Sequence, residues 1–204
     1  MGSLISFSGF DGVGKSTQVK LLSKYLEDIG DKVITTEAMF GYFLLNPLIR
    51  ALRSATGSPS GGPVKRNKNF LPKFWFILAF IDIWLGYLFK IKPLLNKCDY
   101  LIADRFYTDI WANLLYYGYL PSWAFDFFIH LLPSSNIAVM LLADPKEVLK
   151  REKEFPPSYY MLQSVIYKRM TDKLNFCVVN ANQKPEVVFK DIKSSIVTII
   201  DEKN

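Results

Sequence analysis

Cysteine and histidine are scarce in this chain of 204 residues, which contains two cysteines and one histidine. Cys98 and Cys177 lie far apart and form no Cys-x-x-Cys pair, so no disulfide framework is expected. His130 stands alone, without the cluster of ligands that zinc requires, and nothing beside either cysteine indicates an activated thiol. Two thiols and no recognisable signal peptide favour a reducing, cytoplasmic setting.

The chain also lacks an apolar run long enough to span a membrane. The stretch Phe74–Phe89 carries one charge, Asp82, and its 16 residues would extend about 24 Å as a helix, short of a hydrocarbon core of about 30 Å. We expect a helix buried in the core and no membrane contact. Exposed aromatic side chains on this helix would instead favour a homodimer.

Charge and hydrophobicity exclude a disordered chain. Half of the residues are hydrophobic, 15% are aromatic, and the formal net charge is +6. A basic balance suits a polyanionic ligand such as nucleotide phosphates or nucleic acid, and it also fits an ordinary basic surface. Because the basic residues are scattered and no nucleic-acid-binding motif is present, we expect no nucleic-acid partner.

Strand and helix patterns alternate along the whole chain. We predict a single domain, residues 1–204, with a five-stranded parallel sheet covered by helices on both faces, a three-layer α/β/α fold. The predicted strands span 4–8, 32–36, 100–104, 136–143 and 176–179, and the predicted helices span 16–29, 46–55, 74–89, 108–117, 121–132, 145–153, 159–174 and 185–202. A long loop at 54–72, rich in Gly, Pro and Ser, is either functional or a disordered surface excursion.

A glycine-rich motif lies between the first strand and the first helix. Gly9–Ser16 (GFDGVGKS) matches G-x-x-x-x-G-K-[ST], the phosphate-binding loop or P-loop. Its glycines let backbone N–H groups turn towards phosphate, and the helix N-terminus adds partial positive charge. Lys15 is expected to lie in an exposed loop and to reach the β- and γ-phosphates of ATP, and the Ser16 hydroxyl is expected to ligate Mg²⁺. The predicted nucleotide-binding residues are Gly9, Asp11, Gly12, Val13, Gly14, Lys15, Ser16 and Thr17.

An acid and an arginine follow the third strand. Asp104 ends the apolar run YLIAD, where a buried strand delivers a carboxylate to Mg²⁺ or to the phosphate acceptor. Arg105 is suited to bidentate contact with an acceptor phosphate. The structural alternatives are a helix cap for Asp104 and an ion pair for Arg105.

A basic segment interrupted by two prolines follows the fourth strand. We predict that residues 150–160, which begin Lys150-Arg151-Glu-Lys153, form a lid that closes over ATP and brings charge to the transferring phosphoryl group. A solvated charged helix end is the competing interpretation.

The segment Phe7–Gln18 (FSGFDGVGKSTQ) resembles the P-loop of the thymidylate kinase family, including the Asp inside the loop and the Thr-Gln after it. Asp104-Arg105-Phe106 is similar to that family's Asp-Arg-Tyr motif. The resemblance implies Mg²⁺-dependent transfer of the ATP γ-phosphate to a nucleoside monophosphate. It further implies that Asp11 approaches the acceptor sugar and that Glu37 and Arg105 bind the acceptor. Members of that family without an arginine in the P-loop carry a catalytic arginine in the lid; because Phe10 and Val13 leave this loop without arginine, the resemblance makes Arg151 the candidate.

Two departures from the family pattern fall on the acceptor side. The family usually carries Arg-Glu-Pro-Gly-Gly after the second strand, whereas this chain has Thr36-Glu37-Ala-Met-Phe-Gly41. The family's aromatic helix carries an arginine that recognises thymine, and no arginine lies between Phe74 and Phe89. These departures favour a divergent member with a relaxed choice of acceptor. A kinase of the same fold acting on a sugar, a sugar phosphate or a nucleoside, and an ATP-binding module without an acceptor, remain the alternatives.

Overall fold

Five parallel strands form the centre of the protein in the computed structural model, which describes residues 2–37 and 71–201. The strands are β1 (Ser3–Ser8), β2 (Val33–Thr36), β3 (Tyr100–Asp104), β4 (Ile137–Leu142) and β5 (Cys177–Asn180). Their spatial order is β2-β3-β1-β4-β5. The predicted helix 46–55 and residues 54–70 of the predicted loop lie outside the described residues.

Helices surround this sheet. They are α1 (Lys15–Asp28), α2 (Leu71–Gly86), α3 (Lys92–Leu95), α4 (Tyr107–Tyr116), α5 (Ser122–Phe128), α6 (Pro145–Leu149), α7 (Pro157–Thr171) and α8 (Pro185–Asp201). A π-helical turn, Tyr87–Ile91, joins α2 to α3, and a 3-10 turn, Ile129–Leu131, follows α5. The predicted α/β architecture is confirmed.

The central strand β1 explains why helices are needed on both faces of the sheet. Every residue from Leu4 to Ser8 is buried, and successive side chains of a strand point to opposite faces. In β1, Phe7 pairs with Asp104 of β3 on one side and with Val139 of β4 on the other. The carboxyl ends of the strands therefore meet at one edge, where open α/β sheets bind their ligands.

The aromatic helix is only partly buried, which corrects the expectation of a core helix. On α2, Phe76, Ala79 and Ile83 are buried, whereas Ile77 and Ile81 are exposed. Both faces of this helix are apolar, so its periodicity could not indicate which face packs on the sheet. Among the described residues, no helix is both long enough and apolar enough to cross a membrane.

Candidate functional site

The glycine-rich loop joins β1 to α1 with backbone angles that favour glycine. Gly12 has a φ of 78° and Gly14 a φ of 97°. A Cβ on Gly12 would lie 2.7 Å from the side chain of Val148 in α6 and 2.9 Å from that of Glu152. A Cβ on Gly14 would meet nothing within 4 Å, so the loop has open space beside the N-terminus of α1. This arrangement fits a phosphate group against backbone N–H donors.

Lys15 is buried at the start of α1, and not placed in an exposed loop as the sequence had suggested. Its side chain is 4% exposed, and Nζ donates hydrogen bonds to the carbonyl oxygens of Gly9, at 2.7 Å, and Phe10, at 2.9 Å. An ammonium group has three N–H donors, so one remains for a phosphate oxygen. The loop thus holds its own lysine in place before a ligand arrives.

Burial and the neighbouring Arg105 guanidinium lower the pKa of Lys15, and the carboxylates of Asp109, Asp11 and Asp104 oppose this change, in that order of strength. The net pKa is about 8, so Lys15 is mostly charged at neutral pH.

Among the remaining loop residues, some can offer a ligand only their backbone and others can offer a side chain. Val13 is buried against the core, so only its backbone can face a ligand. Ser16 and Thr17 are exposed at the first turn of α1, with hydroxyls available to solvent or to a ligand.

Asp104 has the environment of a metal-directed carboxylate. It ends β3 opposite Phe7 of β1, its side chain is buried, and its Oδ1 has no hydrogen-bond partner among the described residues. A buried carboxylate oxygen without a partner is costly unless a cation or a water satisfies it. No group of three or more His, Cys, Asp or Glu side chains in the described part of the chain forms a metal site. Mg²⁺ fits these residues, because it is usually held by one or two protein oxygens together with substrate phosphates.

Arg105 turns back from β3 onto the glycine-rich loop. Its φ of 69° lies in the left-handed region, which costs a non-glycine residue about 1–2 kcal/mol. In this conformation, its guanidinium forms an ion pair with Asp11 Oδ1, while the hydroxyl of Tyr159 in α7 donates to Asp11 Oδ2 at 2.6 Å. Arg105 therefore forms the ion pair that the sequence left open as the structural alternative.

The charges in this cluster reinforce one another. Burial raises the pKa of the Asp11 carboxyl, but Arg105 and the Tyr159 hydrogen bond lower it more, so the net pKa lies below the usual value. Burial lowers the pKa of Arg105, and the carboxylates of Asp11 and Asp109 more than reverse this change. Burial and Asp11 together raise the pKa of Tyr159. At neutral pH, Asp11 is therefore ionised, Arg105 is charged and Tyr159 is a neutral donor.

The other predicted site residues lie at the edge of this cluster. Glu37 is exposed directly after β2, and Thr36 pairs with Ala103, so Glu37 leaves the sheet at the same edge as Asp104. Arg151 is exposed in the irregular segment between α6 and α7, and no hydrogen bond or ion pair joins its side chain to another described residue. The structure therefore brings Asp11, Lys15 and Arg105 together and leaves Arg151 on the outside.

Two side chains of the site were not identified from the sequence: Asp109, which lies beneath the glycine-rich loop, and Tyr159, which bonds to Asp11. Asp109 is the third residue of α4, where an acidic side chain commonly caps the helix N-terminus. The sequence could therefore indicate only a capping role for it. Tyr159 and Tyr167 are eight residues apart and so share a face of α7, but their carboxylate partners depend on the tertiary fold.

Comparison with known proteins gives one consistent answer. No family model matches the chain. The thymidylate kinase of Prochlorococcus marinus (strain AS9601) is 27% identical over 96% of each chain, and that of Ehrlichia ruminantium (strain Gardel) is 32% identical over 82% of this chain and 78% of its own. The crystal structure of thymidylate kinase from Ehrlichia chaffeensis superposes with a TM-score of 0.60 and 21% identity, over 96% of this chain and 98% of that chain, and so shares the fold.

Proposed function

This chain belongs to the thymidylate kinase family, and we propose that it transfers the γ-phosphate of ATP to a nucleoside monophosphate, with dTMP as the leading acceptor. The observation that carries this proposal is the meeting of a P-loop lysine, a buried acid and an arginine at one edge of the sheet. Asp104 and Arg105 lie at the carboxyl end of β3. Lys15 begins α1 and reaches back to Gly9 and Phe10, which follow the carboxyl end of β1. Phosphoryl transfer depends mainly on positioning and on charge stabilisation, which these groups supply.

The ATP side consists of the glycine-rich loop and the first turn of α1. Backbone N–H groups from Gly12 to Ser16 surround the phosphates, and Lys15 neutralises charge on the β- and γ-phosphates. Because Lys15 is already bonded to two loop carbonyls, its ammonium group needs little reorganisation when the nucleotide binds.

The Ser16 hydroxyl and Asp104 would hold Mg²⁺, which would offset the negative charge of the β- and γ-phosphates. Asp104 also lies where it can accept a proton from the acceptor, and its unpartnered Oδ1 is compatible with either role.

The acceptor side begins at Arg105. Its guanidinium is suited to the acceptor phosphate, which would replace the carboxylate of Asp11 as its partner. Asp11, then held by Tyr159 alone, would be available to a sugar hydroxyl, and Glu37 borders the same edge of the sheet.

The lid segment supplies the remaining charge. We assign this role to residues 150–160, in which Arg151 is exposed and Glu152 lies close enough to Gly12 that a Cβ on that glycine would meet its side chain. Closure would exclude water and bring Arg151 to the transferring phosphoryl group.

One observation favours a second candidate, a kinase of the same fold with a different small acceptor. The helix α2 and the turn after it contain no arginine, so a base that packs against them, as the family resemblance implies, would meet a mostly apolar and aromatic surface. Such a surface discriminates weakly, by about 1–3 kcal/mol for each apolar group lost. We therefore expect relaxed selectivity, with kcat/KM for dTMP within about tenfold of the values for other pyrimidine monophosphates.

The test is an ATP-consumption assay in which the products are identified by mass. The acceptors are dTMP, dUMP, dCMP and UMP, with thymidine and simple sugar phosphates for the second candidate. Formation of dTDP supports the proposal, and a preference for dTMP above a thousandfold would contradict relaxed selectivity. Phosphorylation of a sugar or nucleoside alone would favour the second candidate, and ATP binding without any phosphorylated acceptor would indicate a non-kinase module.

We further propose a single kinase domain over residues 1–204 that forms a homodimer and resides in the cytoplasm. The exposed apolar side chains of α2 support the dimer. Cys98 and Cys177 are both free, which suits a reducing compartment.

A further inference from the structure

Asp109 is a buried acid that none of the roles assigned above uses. It is the third residue of α4, and its side chain is 0% exposed. A carboxylate is seldom buried this deeply unless its oxygens are fully paired. Its position beneath the glycine-rich loop, and not in the ligand-facing cleft, makes direct contact with substrate an unsuitable explanation.

Four donors satisfy the two oxygens of Asp109. Oδ1 accepts hydrogen bonds from the backbone N–H of Gly9, at 3.3 Å, and the hydroxyl of Tyr167, at 2.7 Å. Oδ2 accepts from the hydroxyl of Ser8, at 2.8 Å, and the backbone N–H of Phe106, at 3.0 Å. Each oxygen therefore faces one backbone N–H, a group that can only donate.

This pairing excludes an amide at position 109. Asparagine has one accepting oxygen and one NH₂ group, which only donates. Whichever way the amide is oriented, its NH₂ group would face the N–H of either Gly9 or Phe106, and one buried donor would lose its acceptor. An unsatisfied buried donor forces the backbone to move or to admit water.

The donors to Asp109 come from three segments of the proposed site. Ser8 ends β1 and Gly9 begins the glycine-rich loop, Phe106 follows Arg105, and Tyr167 belongs to α7, whose first turn overlaps the lid segment. The same carboxylate favours the protonated form of Lys15. Asp109 thus joins the start of the loop to the Asp104–Phe106 segment and to α7 from beneath, and Asp11 joins the same parts from within the loop through Arg105 and Tyr159.

We propose that Asp109 is a positioning residue that fixes the entry of the P-loop in the conformation that binds ATP and ties it to α7. This inference rests on the proposed function only in taking ATP as the ligand. Asp109 contacts no substrate; it acts through the backbone of Gly9 and through the hydroxyls of Ser8 and Tyr167.

The experiment compares Asp109→Asn with wild-type protein by calorimetric titration of Mg²⁺·ATP, together with thermal unfolding and steady-state kinetics. The matched control is Asp126→Asn, because Asp126 is an acid bonded to the same helix, through an ion pair with Arg169 of α7, and none of its described contacts is with the loop. For Asp109→Asn we expect the Kd for Mg²⁺·ATP to rise at least about tenfold and the KM for the acceptor to stay within about threefold. Asp126→Asn should lower the unfolding midpoint and leave the Kd unchanged.

A folded Asp109→Asn protein with a Kd within twofold of wild type would overturn the proposal, since a merely structural role would change only the unfolding midpoint. If Asp109→Asn does not fold, Tyr167→Phe decides: it removes one donor and keeps the carboxyl group with both backbone bonds. A rise in its Kd of about threefold or more would support the proposal, and an unchanged Kd would overturn it. Because the Kd needs no acceptor, wild-type protein that binds Mg²⁺·ATP without kinase activity would defeat only the proposed function. Absence of Mg²⁺·ATP binding would defeat both.

Discussion

Lys15 places a buried positive charge where ATP phosphates are expected, and its removal provides the most direct test of the site. We expect Lys15→Ala to lower the rate of phosphoryl transfer more than about a hundredfold, because charge stabilisation at the transferring group is lost. The protein should stay folded, since burying this lysine lowers its pKa and so does not stabilise the fold through its charge. Steady-state turnover and circular dichroism would measure both effects.

The control for this variant is Lys20→Ala, which removes an exposed lysine from the same helix. Lys20→Ala should keep wild-type turnover. If folded Lys15→Ala also kept it, the P-loop assignment would be wrong.

The lowered pKa of Lys15, about 8, predicts a pH dependence. The protonated lysine binds phosphate, so kcat/KM for ATP should be constant below pH 7 and fall as the pH rises through about 8. The profile of kcat should fall at higher pH, because bound phosphates favour the protonated form. Initial rates between about pH 6 and 10 test this, and a kcat/KM profile flat to pH 9 would contradict it.

The Asp104→Asn variant tests whether Asp104 acts in phosphoryl transfer and not in ATP binding. Asp104→Asn keeps the shape and removes the charge that would meet metal or acceptor, so turnover should fall by about a hundredfold. The Kd for ATP without metal should change less than about threefold, because the loop contacts remain. Equal losses in turnover and in metal-free ATP affinity would indicate a structural cap instead.

The residues of this site differ in how far the sequence could predict them. Lys15, Asp104 and Arg105 belong to local motifs whose spacing specifies their position. The ion pair between Asp11 and Arg105 and the hydrogen bond from Tyr159 join segments that are 94 and 148 residues from Asp11. Such contacts depend on the packed sheet and leave no local pattern.

At the scale of elements, the proposed lid, residues 150–160, has the clearest kinetic test. Arg151 is exposed here, so its charge acts on ATP only after the segment closes. We expect Arg151→Ala to lower kcat by about tenfold or more with little change in ATP affinity, because the contact forms mainly in the transition state.

Lys153→Ala is the control, since it removes the same charge from an exposed position two residues later. Unchanged kcat in Arg151→Ala and a loss in Lys153→Ala would transfer the role to Lys153. Arg169 of α7 is hydrogen-bonded to Asp126 and Ser122 of α5, so its charge is already paired.

The elements themselves were well predicted where one local signal dominates. β3 spans Tyr100–Asp104 as expected, because an apolar run of that length between polar residues reads as a buried strand. The predicted helix 145–153 ends at Leu149, since Lys150 and the residues before Pro156 leave the helical path to form the irregular segment. A proline disfavours helix in the residue before it, but Pro156 lies seven residues after Leu149, so this rule alone does not give the end point.

At the scale of the whole molecule, α2 carries an apolar stripe that suggests a second copy of the chain. Ile77, Leu78 and Ile81 are each 38–50% exposed, and Phe89 beyond the π-helical turn is 64% exposed. We expect a homodimer in sedimentation equilibrium, and we expect Ile81→Asp to shift it to monomer. Stable dimers bury about 800 Å² per partner, which an apolar helix face can supply.

Val187→Asp on α8 is the matched control, because Val187 is 41% exposed and lies on a different helix. It should leave the dimer intact. A wild-type protein that sediments as a monomer at micromolar concentration would contradict the prediction.

The spatial order of the strands determines when β1 finds its neighbours during synthesis. β1 is central, yet both of the strands that flank it are made long after it. Ile5 pairs with Ile102 and Ile137, so the second partner is translated about 130 residues later, on the order of 10 s at ordinary elongation rates. Until β3 is made, about 97 residues after Ile5, the apolar strand β1 has neither of its flanking strands to pair with. We therefore expect aggregation of the nascent chain to be a risk mainly before Asp104 is translated.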